Sequence, residues 1–381
     1  MREEGARFIE ALQDIVSIDS GTYTPEGVNR VADWLELRFT SSGWQVERRH
    51  DPGRNGARLG DVLVARVRGR GAYRVLLICH MDTVWPEGTA AERPFRVDRQ
   101  RAYGPGVSDA KSGLLTGIEA VDTLRRAGED TFGLVTFVCN PDEEAGSPFS
   151  GSTIAEIAKD SDVAYVLEAG RENGDIVSQR KGLVTIRADF SGRAAHAGVE
   201  PERGRHAVLD AATKTLELQA MNGTMEGVTV NVGVLSGGAR PNVVPEQCRM
   251  EVDIRAWDAT TLTRATEQVR SALERPQVDG VRTVVHVNIE YPPMEQHPAT
   301  ERLVELAGEF ARDLGFELHA ASTGGGSDAN VVSSLGTPVL DGLGPIGGDD
   351  HSPDEWVDLT SVAPRAAILA GLIARGGEAV A

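Results

Sequence analysis

Histidine and acidic residues recur at the ends of apolar, strand-like segments in this sequence. The residues that could do chemistry are His80, Asp82, Asp109, Glu143, Glu144, Glu168 and His351. Imidazoles and carboxylates from separate strand ends suit two adjacent divalent metals. Such a pair, about 3.5–4 Å apart, can hold a water and polarise a carbonyl for hydrolysis. The residue types and their spacing therefore predict a metal-dependent hydrolase.

Each motif also has a structural interpretation when it is taken alone. His80 and Asp82 lie on the same side of an extended segment, so the carboxylate can fix the tautomer of the imidazole, or simply cap the next turn. Asp109 precedes a helix, where Asp is a favoured N-cap. Consecutive acids such as Glu143 and Glu144 often form a solvated loop, although one can bind metal while the other moves protons. The residues alone leave these alternatives open.

Composition and charge limit the class of protein. A chain of 381 residues exceeds the usual size of a single core, so two domains are expected. The formal net charge of -18 argues against binding to nucleic acid or to an anionic membrane. No apolar run approaches the roughly 20 residues that span a bilayer. The charged start does not resemble a secretory signal, and three cysteines form no even framework. We expect a cytoplasmic protein with buried free thiols.

Hydrophobic periodicity predicts an α/β fold that is interrupted by a smaller domain. Strands expected at 62–67, 74–79, 133–139 and 163–168 alternate with helices near 112–127 and 152–159, which indicates a mostly parallel sheet flanked by helices. From about residue 179 to 291 the order becomes β-α-β-β-α-β, typical of a ferredoxin-like sandwich. The α/β pattern then resumes with a helix near 299–314. We therefore expect a catalytic domain of residues 1–178 and 292–381, with an inserted domain of residues 179–291.

Eight short motifs follow one another along the chain. They are CHMDTV, AYGPGVSDAKSG, DEEAGS, LEAGR, RAAHAG, GGARPNVVP, TGGGSDAN and GGDDHSPDEW. In this order they resemble the zinc peptidase family of aminoacylases, acetylornithine deacetylases, succinyl-diaminopimelate desuccinylases and carboxypeptidase G. The resemblance spans about residues 10 to 375 and is greatest for the carboxypeptidase G branch. It implies that the inserted domain is a lid and dimerisation module, so a homodimer is expected.

The resemblance also implies the ligands of two zinc ions per subunit, for which cobalt or manganese could substitute. One metal would be held by His80, Asp109 and Glu168. The other would be held by Asp109, Glu144 and His351, so that Asp109 bridges the two ions. The peptide bond that follows Asp109 is often cis in this family.

The remaining roles that the resemblance implies concern catalysis and substrate. Asp82 would be the partner of the first imidazole, and Glu143 the general base. His196 would reach a partner subunit's site and stabilise the oxyanion, whereas on its own it would be taken for a surface histidine. Asn242 and Arg255 would contact the carboxylate of the substrate. Arg255 has an alternative, a cross-strand ion pair with Glu251 or Asp253.

The Gly-rich loop that contains Gly325 and Gly326 would line the substrate pocket. It is not a phosphate-binding loop, because the Gly-Lys-Ser/Thr sequence is missing. Glutamate-preferring relatives carry arginines just after the last strand of the lid, but the corresponding stretch 290–295 has no basic residue. The expected substrate is therefore a small N-acyl amino acid or dipeptide-like compound with a free carboxylate, and its side chain need not be acidic.

Two other functions are compatible with parts of the pattern. One is a metal-stabilised peptide-binding protein without catalysis, against which the complete set of ligands and the base argue. The other is an aminopeptidase or dipeptidase that requires a free amine, against which Arg255 and Asn242 argue. Metal content and a panel of substrates would separate these functions from the hydrolase.

Overall fold

The computed structural model describes residues 2–53 and 58–380. Within them the helices are α1 (Arg2–Val16), α2 (Pro25–Ser41), α3 (Thr89–Glu92), α4 (Ser112–Ala127), α5 (Gly151–Ala158), α6 (Ala207–Gln219), α7 (Ala259–Leu273), α8 (Pro298–Asp313), α9 (Asp328–Ser333) and α10 (Val362–Val380). The strands are β1 (Gln45–Arg49), β2 (Val62–Arg68), β3 (Arg74–His80), β4 (Arg96–Asp98), β5 (Arg101–Tyr103), β6 (Leu134–Asn140), β7 (Val163–Val166), β8 (Ile176–Arg180), β9 (Gly182–Ser191), β10 (Thr229–Gly237), β11 (Gln247–Ala256), β12 (Arg282–Tyr291), β13 (Ala320–Thr323), β14 (Val339–Leu340), β15 (Gly347–Gly348) and β16 (Trp356–Asp358).

The described chain divides into two compact units. The first comprises the chain up to Ser178, Gln296–Thr323 and the chain from Ser327 onward, and the second comprises Gln179–Glu295 and Gly324–Gly326. The second unit thus extends to Glu295, beyond the predicted end at residue 291. It also takes in the Gly-rich loop, which the sequence had assigned to the C-terminal part of the catalytic domain.

A six-stranded sheet lies at the centre of the first unit, in the order β1-β2-β6-β3-β7-β14. Strands β6, β3, β7 and β14 run parallel, while β1 and β2 form an antiparallel edge. Strand β3 is buried at every position after Arg74, as expected of a parallel strand covered on both faces. The edge strand β1 is only half-buried and has the polar sequence QVERR, which explains why periodicity did not predict it.

The second unit is a four-stranded antiparallel sheet, ordered β10-β11-β9-β12, with α6 and α7 packed on one face. Alternate residues of β9 (Val184, Ile186, Ala188 and Phe190) are buried in the core with those helices. The chain order β9-α6-β10-β11-α7-β12 is the ferredoxin-like order. The predicted fold class, a mainly parallel α/β sheet with a ferredoxin-like insertion, is therefore confirmed.

Several short elements were not predicted because they lack a repeating hydrophobic pattern. Strands β15, β16, β5 and β4 form a small antiparallel sheet of two- and three-residue segments. Helix α9 does carry a local signal, since Ser327 and Asn330 form a capping box at its start. The three cysteines are buried and free, as expected. None of the described helices is long and apolar enough to cross a bilayer.

Helix α4 approaches the end of β7 so closely that only glycine fits at the contact. A Cβ on Gly113 would lie 2.1 Å from the carbonyl oxygen of Leu167. Because Leu167 precedes Glu168, this close approach fixes the distance between the start of α4 and one of the candidate ligands. The helix itself ends at Ala127, and the next residue, Gly128, closes the last turn with a positive φ of 73°.

We predict that Gly113→Ala lowers the free energy of unfolding by about 1–3 kcal/mol, because the backbone around Leu167 must shift to admit the methyl group. Gly5→Ala is the matched control. Gly5 also lies in a helix, but a Cβ there meets no atom within 4 Å, so the midpoint of thermal unfolding should stay the same or rise slightly. Equal midpoints for the two variants would contradict the close packing of α4 on β7.

Candidate metal centre

Parallel strands bring most of the candidate residues to one edge of the sheet. His80 is the last residue of β3, Glu143 and Glu144 lie in the turn after β6, and Glu168 follows β7. Because neighbouring parallel strands end on the same side, these side chains gather where α/β proteins usually bind their ligands. Asp109 comes from the irregular turn just before α4.

The carboxylate of Asp109 lies between two imidazoles. Its Oδ1 is 2.9 Å from Nε2 of His80, and its Oδ2 is 3.0 Å from Nε2 of His351. Glu168 Oε2 lies 3.7 Å from the first imidazole, and Glu144 Oε2 lies 3.2 Å from the second. The five side chains thus form two sets that share one carboxylate. The Asp109-Ala110 peptide bond is cis, as the resemblance implied.

The tautomer of His80 follows from its contacts. Its Nδ1 lies 3.0 Å from the main-chain oxygen of Asp82 and 3.3 Å from the Oδ1 of the same residue. A carbonyl oxygen can only accept, so Nδ1 donates its hydrogen to the main chain, and Nε2 is the nitrogen that faces Asp109 and Glu168. We expected the Asp82 carboxylate to be this partner, but the main-chain carbonyl is the nearer acceptor.

The carboxylate of Asp82, which is fully buried, instead holds the turn after β6 in place. It accepts hydrogen bonds from the main-chain N–H groups of Glu143 (3.1 Å) and Glu144 (3.2 Å), and from the hydroxyl of Thr22 (2.6 Å). The turn with the two glutamates is therefore fastened to the end of β3, next to His80. Because the Asp82 carboxylate is buried, a conformation that left it without hydrogen-bond donors would be unfavourable in free energy. These contacts therefore favour the observed position of the turn.

Two further buried aspartates brace the same turn, and the sequence did not predict this role for either. Asp142 accepts the N–H groups of Phe149 (2.7 Å) and Ser150 (3.2 Å). Asp328 accepts the side-chain amide of Asn140 (2.7 Å) and the hydroxyl of Ser147 (2.5 Å). Both aspartates lie inside motifs that were recognised, but nothing in the local pattern showed that they are buried.

The acidic residues of the centre repel one another. Burial raises the pKa of Glu143 well above its usual value, and the charge of Glu168 adds to the shift. Burial likewise raises the pKa of Glu168 to about 7 and shifts the pKa of Glu144 upward. For Asp109, hydrogen bonds from the two imidazoles outweigh the effect of burial, and the pKa of this carboxyl falls below its usual value.

The pKa values of both imidazoles are raised, which favours their positively charged forms. Burial opposes the charged form of His80, but the charge of Glu168 and the hydrogen bond with Asp109 raise its pKa well above the usual value. Hydrogen bonds with Asp109 and Glu144 raise the pKa of His351 to about 11. The centre thus attracts positive charge. A divalent cation would supply that charge, and zinc, cobalt and manganese all accept imidazole and carboxylate ligands. The residues present fit such metals.

His196 and Asn242 belong to the second unit, and both side chains are exposed. Their loops pair with each other: His196 forms an isolated bridge with Val243, and the main-chain oxygen of Asn242 accepts the N–H of Ala197 at 3.0 Å. Nδ1 of His196 accepts the N–H of Gly198 at 3.2 Å. The two motifs RAAHAG and GGARPNVVP, which are distant in sequence, therefore form one surface.

Arg255 forms the ion pair that was its alternative interpretation. Its Nη2 lies 2.9 Å from Oδ2 of Asp253, and its Nε lies 3.0 Å from Oδ1, so the guanidinium binds the carboxylate with two groups. The two residues lie on the same strand, β11, rather than on neighbouring strands. This ion pair engages the guanidinium group that was predicted to bind the carboxylate of the substrate.

Two arginines hold the Gly-rich loop within the second unit. Arg255 donates through Nη1 to the oxygen of Gly324 (2.8 Å), and Arg180 donates through Nη1 to the oxygens of Gly325 (3.1 Å) and Gly326 (3.3 Å). Glycine is required at the last of these positions, because a Cβ there would lie 2.6 Å from the ring of Tyr291. Arg180 has no motif of its own, so its role could not be predicted from the sequence.

Comparison with known proteins identifies the family of this chain. Residues 76–375 match the model of Peptidase family M20/M25/M40. Carboxypeptidase G2 of Pseudomonas sp. (strain RS-16) is 29% identical over 374 residues, which cover 97% of this chain and 89% of that protein. Acetylornithine deacetylase of Photorhabdus laumondii is 24% identical over 394 residues, covering 96% of each chain. A tripeptidase structure from Staphylococcus aureus shares the fold, with a TM-score of 0.81, 23% identity and coverage of 98% of this chain and 99% of that chain. The chain belongs to Peptidase family M20/M25/M40, a family of metal-dependent hydrolases, as its motifs indicated.

Proposed function

We propose that this protein is a dinuclear metal amidohydrolase that cleaves the amide bond of a small N-acyl amino acid or dipeptide-like substrate with a free carboxylate. The observation that carries the proposal is the position of Asp109, whose two oxygens face two different imidazoles at 2.9 and 3.0 Å. A carboxylate in this position can serve two cations at once. The sequence similarity to a carboxypeptidase and to a deacetylase supports this class of substrate.

The proposed ligands divide into two sets that match the observed contacts. His80, Asp109 and Glu168 would hold one ion, and His351, Asp109 and Glu144 the other. Zinc is the metal we propose, with cobalt and manganese as substitutes. When bound, the two ions lower the pKa of a water and polarise the scissile carbonyl. His80 would hold its ion through Nε2, because Nδ1 donates to the main chain.

Glu143 is the proposed general base. It lies beside Glu144 on a turn whose main-chain N–H groups are fixed by the Asp82 carboxylate. Two consecutive glutamates on one rigid turn can divide the work, since one approaches His351 as a ligand and the other moves the proton. In this scheme Glu143 takes the proton from the attacking water and then gives it to the leaving amine.

The second unit would supply contacts to the substrate. His196 is exposed, so its imidazole is available to the site of a partner subunit, and we propose that it donates to the carbonyl oxygen of the substrate in a homodimer. One such donor is commonly worth about 10²–10³ in kcat. Asn242 and the loop of Gly325 and Gly326 remain the proposed contacts for the rest of the substrate.

A second candidate function is an aminopeptidase or dipeptidase that recognises a free amine. The observation that favours it is the ion pair between Arg255 and Asp253, because a guanidinium already bound by a carboxylate is a weaker anchor for the carboxylate of a substrate. The metal centre would be the same in both cases. The two candidates differ only in the end of the substrate that the protein recognises.

The number of metals in each variant tests the two ligand sets. We expect two divalent ions per chain in the wild-type protein, one in His351→Ala and none in Asp109→Ala, because only Asp109 belongs to both sets. Elemental analysis after dialysis measures this directly. Asp98→Ala, which removes an exposed aspartate of β4, is the matched control and should retain two ions. Full occupancy in Asp109→Ala would contradict the shared carboxylate.

Glu143→Gln tests the general base. We expect this variant to bind both metals and to lose about 10²–10⁴-fold in kcat, since the amide cannot accept the proton. Glu92→Gln, a change of an exposed glutamate in α3, should leave kcat unchanged. Steady-state kinetics and metal content are measured on the same samples. A residual kcat within tenfold of the wild-type value would remove Glu143 from the proposed role.

A panel of substrates separates the two candidate functions. We expect the highest kcat/KM for N-acyl amino acids, and a large loss when their carboxylate is converted to an amide. The panel should include N-acetyl amino acids, benzoyl-glutamates, and dipeptides and tripeptides with a free amine. Faster hydrolysis of the free-amine peptides, with no penalty for amidation of the C-terminus, would favour the aminopeptidase instead.

A further inference from the structure

Glu355 is a buried carboxylate that belongs to neither ligand set. Its relative exposure is 2%. Its Oε1 accepts the main-chain N–H groups of Ser108 (2.9 Å) and Asp109 (3.1 Å), and its Oε2 accepts the N–H of Gly106 (2.9 Å) and the indole N–H of Trp85 (3.4 Å). Both oxygens of this side chain therefore serve as acceptors, each for two donors.

These contacts join three segments that carry the proposed ligands. Trp85 lies in the loop that follows His80 and Asp82, and the N–H groups come from the turn that carries Asp109. Glu355 itself follows His351 in the loop between β15 and β16. The Glu355 carboxylate thus links the segments that carry His80 and His351 to Asp109, which lies between the two imidazoles.

We propose that Glu355 is a positioning residue that sets the metal affinity of the centre by fixing the backbone of Asp109, an inference that rests on the proposed function. The hydrogen bond ends on the main-chain N–H of Asp109 itself, so a shift of Glu355 moves the carboxylate shared by both metals. Residues that orient metal ligands commonly change metal affinity by about 10- to 100-fold when they are replaced. The competing explanation is that Glu355 only stabilises the fold.

Substitution by glutamine is informative because it keeps the shape of the side chain. An amide offers one accepting oxygen and one NH₂ group, whereas the contacts of Glu355 require an acceptor at both positions. In Glu355→Gln the NH₂ group must face either the N–H groups of Ser108 and Asp109 or those of Gly106 and Trp85. Either arrangement displaces a donor, and the turn that carries Asp109 must move.

The test is a titration of the metal-free protein with Co²⁺, followed by the visible absorption of the bound ion, which reports the coordination geometry. We expect Glu355→Gln to bind Co²⁺ about 10- to 100-fold more weakly than the wild-type protein, with an altered spectrum. The matched control is Asp210→Asn. Asp210 is a fully buried carboxylate of the second unit that accepts the N–H groups of Gln277 and Val278. Its variant should bind Co²⁺ within twofold of wild type, whatever its effect on the midpoint of thermal unfolding.

A milder variant, Trp85→Phe, tests the proposal if Glu355→Gln does not fold. Trp85→Phe removes only the indole N–H while it keeps an aromatic ring beneath Arg93, and it should weaken Co²⁺ binding roughly twofold to tenfold. Wild-type affinity and spectrum in the folded variants would overturn the proposal and leave Glu355 a structural residue. This test does not depend on catalysis. If the wild-type protein binds two Co²⁺ ions but hydrolyses none of the substrates, the proposed function fails, while the effect of Glu355 on metal affinity can still be measured.

Discussion

Burial of several carboxylates side by side is the constraint on which this centre depends. Each one would be costly without donors or cations to offset its charge. Asp82, Asp142, Asp328 and Glu355 meet the constraint with N–H and O–H groups of the surrounding turns. Asp109 meets it with two imidazoles. The acids at this edge of the sheet therefore fall into two kinds, those that hold the backbone and those that face the proposed metals.

The parallel sheet explains how so many carboxylates and imidazoles can lie together at one place. Strands β3, β6 and β7 are buried along nearly their whole length, and the candidate ligands lie at or just beyond the ends of these strands. The polar residues then emerge together at one edge. The tight contact between Gly113 and Leu167 keeps helix α4 and the end of β7 in register, which links the packing of the core to the position of Glu168.

Much of the candidate site could be predicted from the sequence, because the candidate ligands directly follow apolar strands or stand in recognisable motifs. The eight motifs also identified the family, and the ferredoxin-like order of the inserted segment was visible in its periodicity. The supporting residues were harder to find. Glu355 and Arg180 are polar residues whose burial depends on contacts with segments distant in sequence. The partner of His80 is a main-chain carbonyl, which no side-chain pattern can reveal.

The order of the candidate ligands along the chain has a consequence for biosynthesis. The whole inserted unit lies between the two imidazoles in the sequence, and Glu355 follows the second imidazole. A nascent chain leaving the ribosome exposes His80 and Asp109 before the inserted unit, but it cannot form the contacts of Asp109 with His351 or with Glu355 until that unit has also emerged. The arrangement of two imidazoles around Asp109 is therefore completed only after the inserted unit has been synthesised.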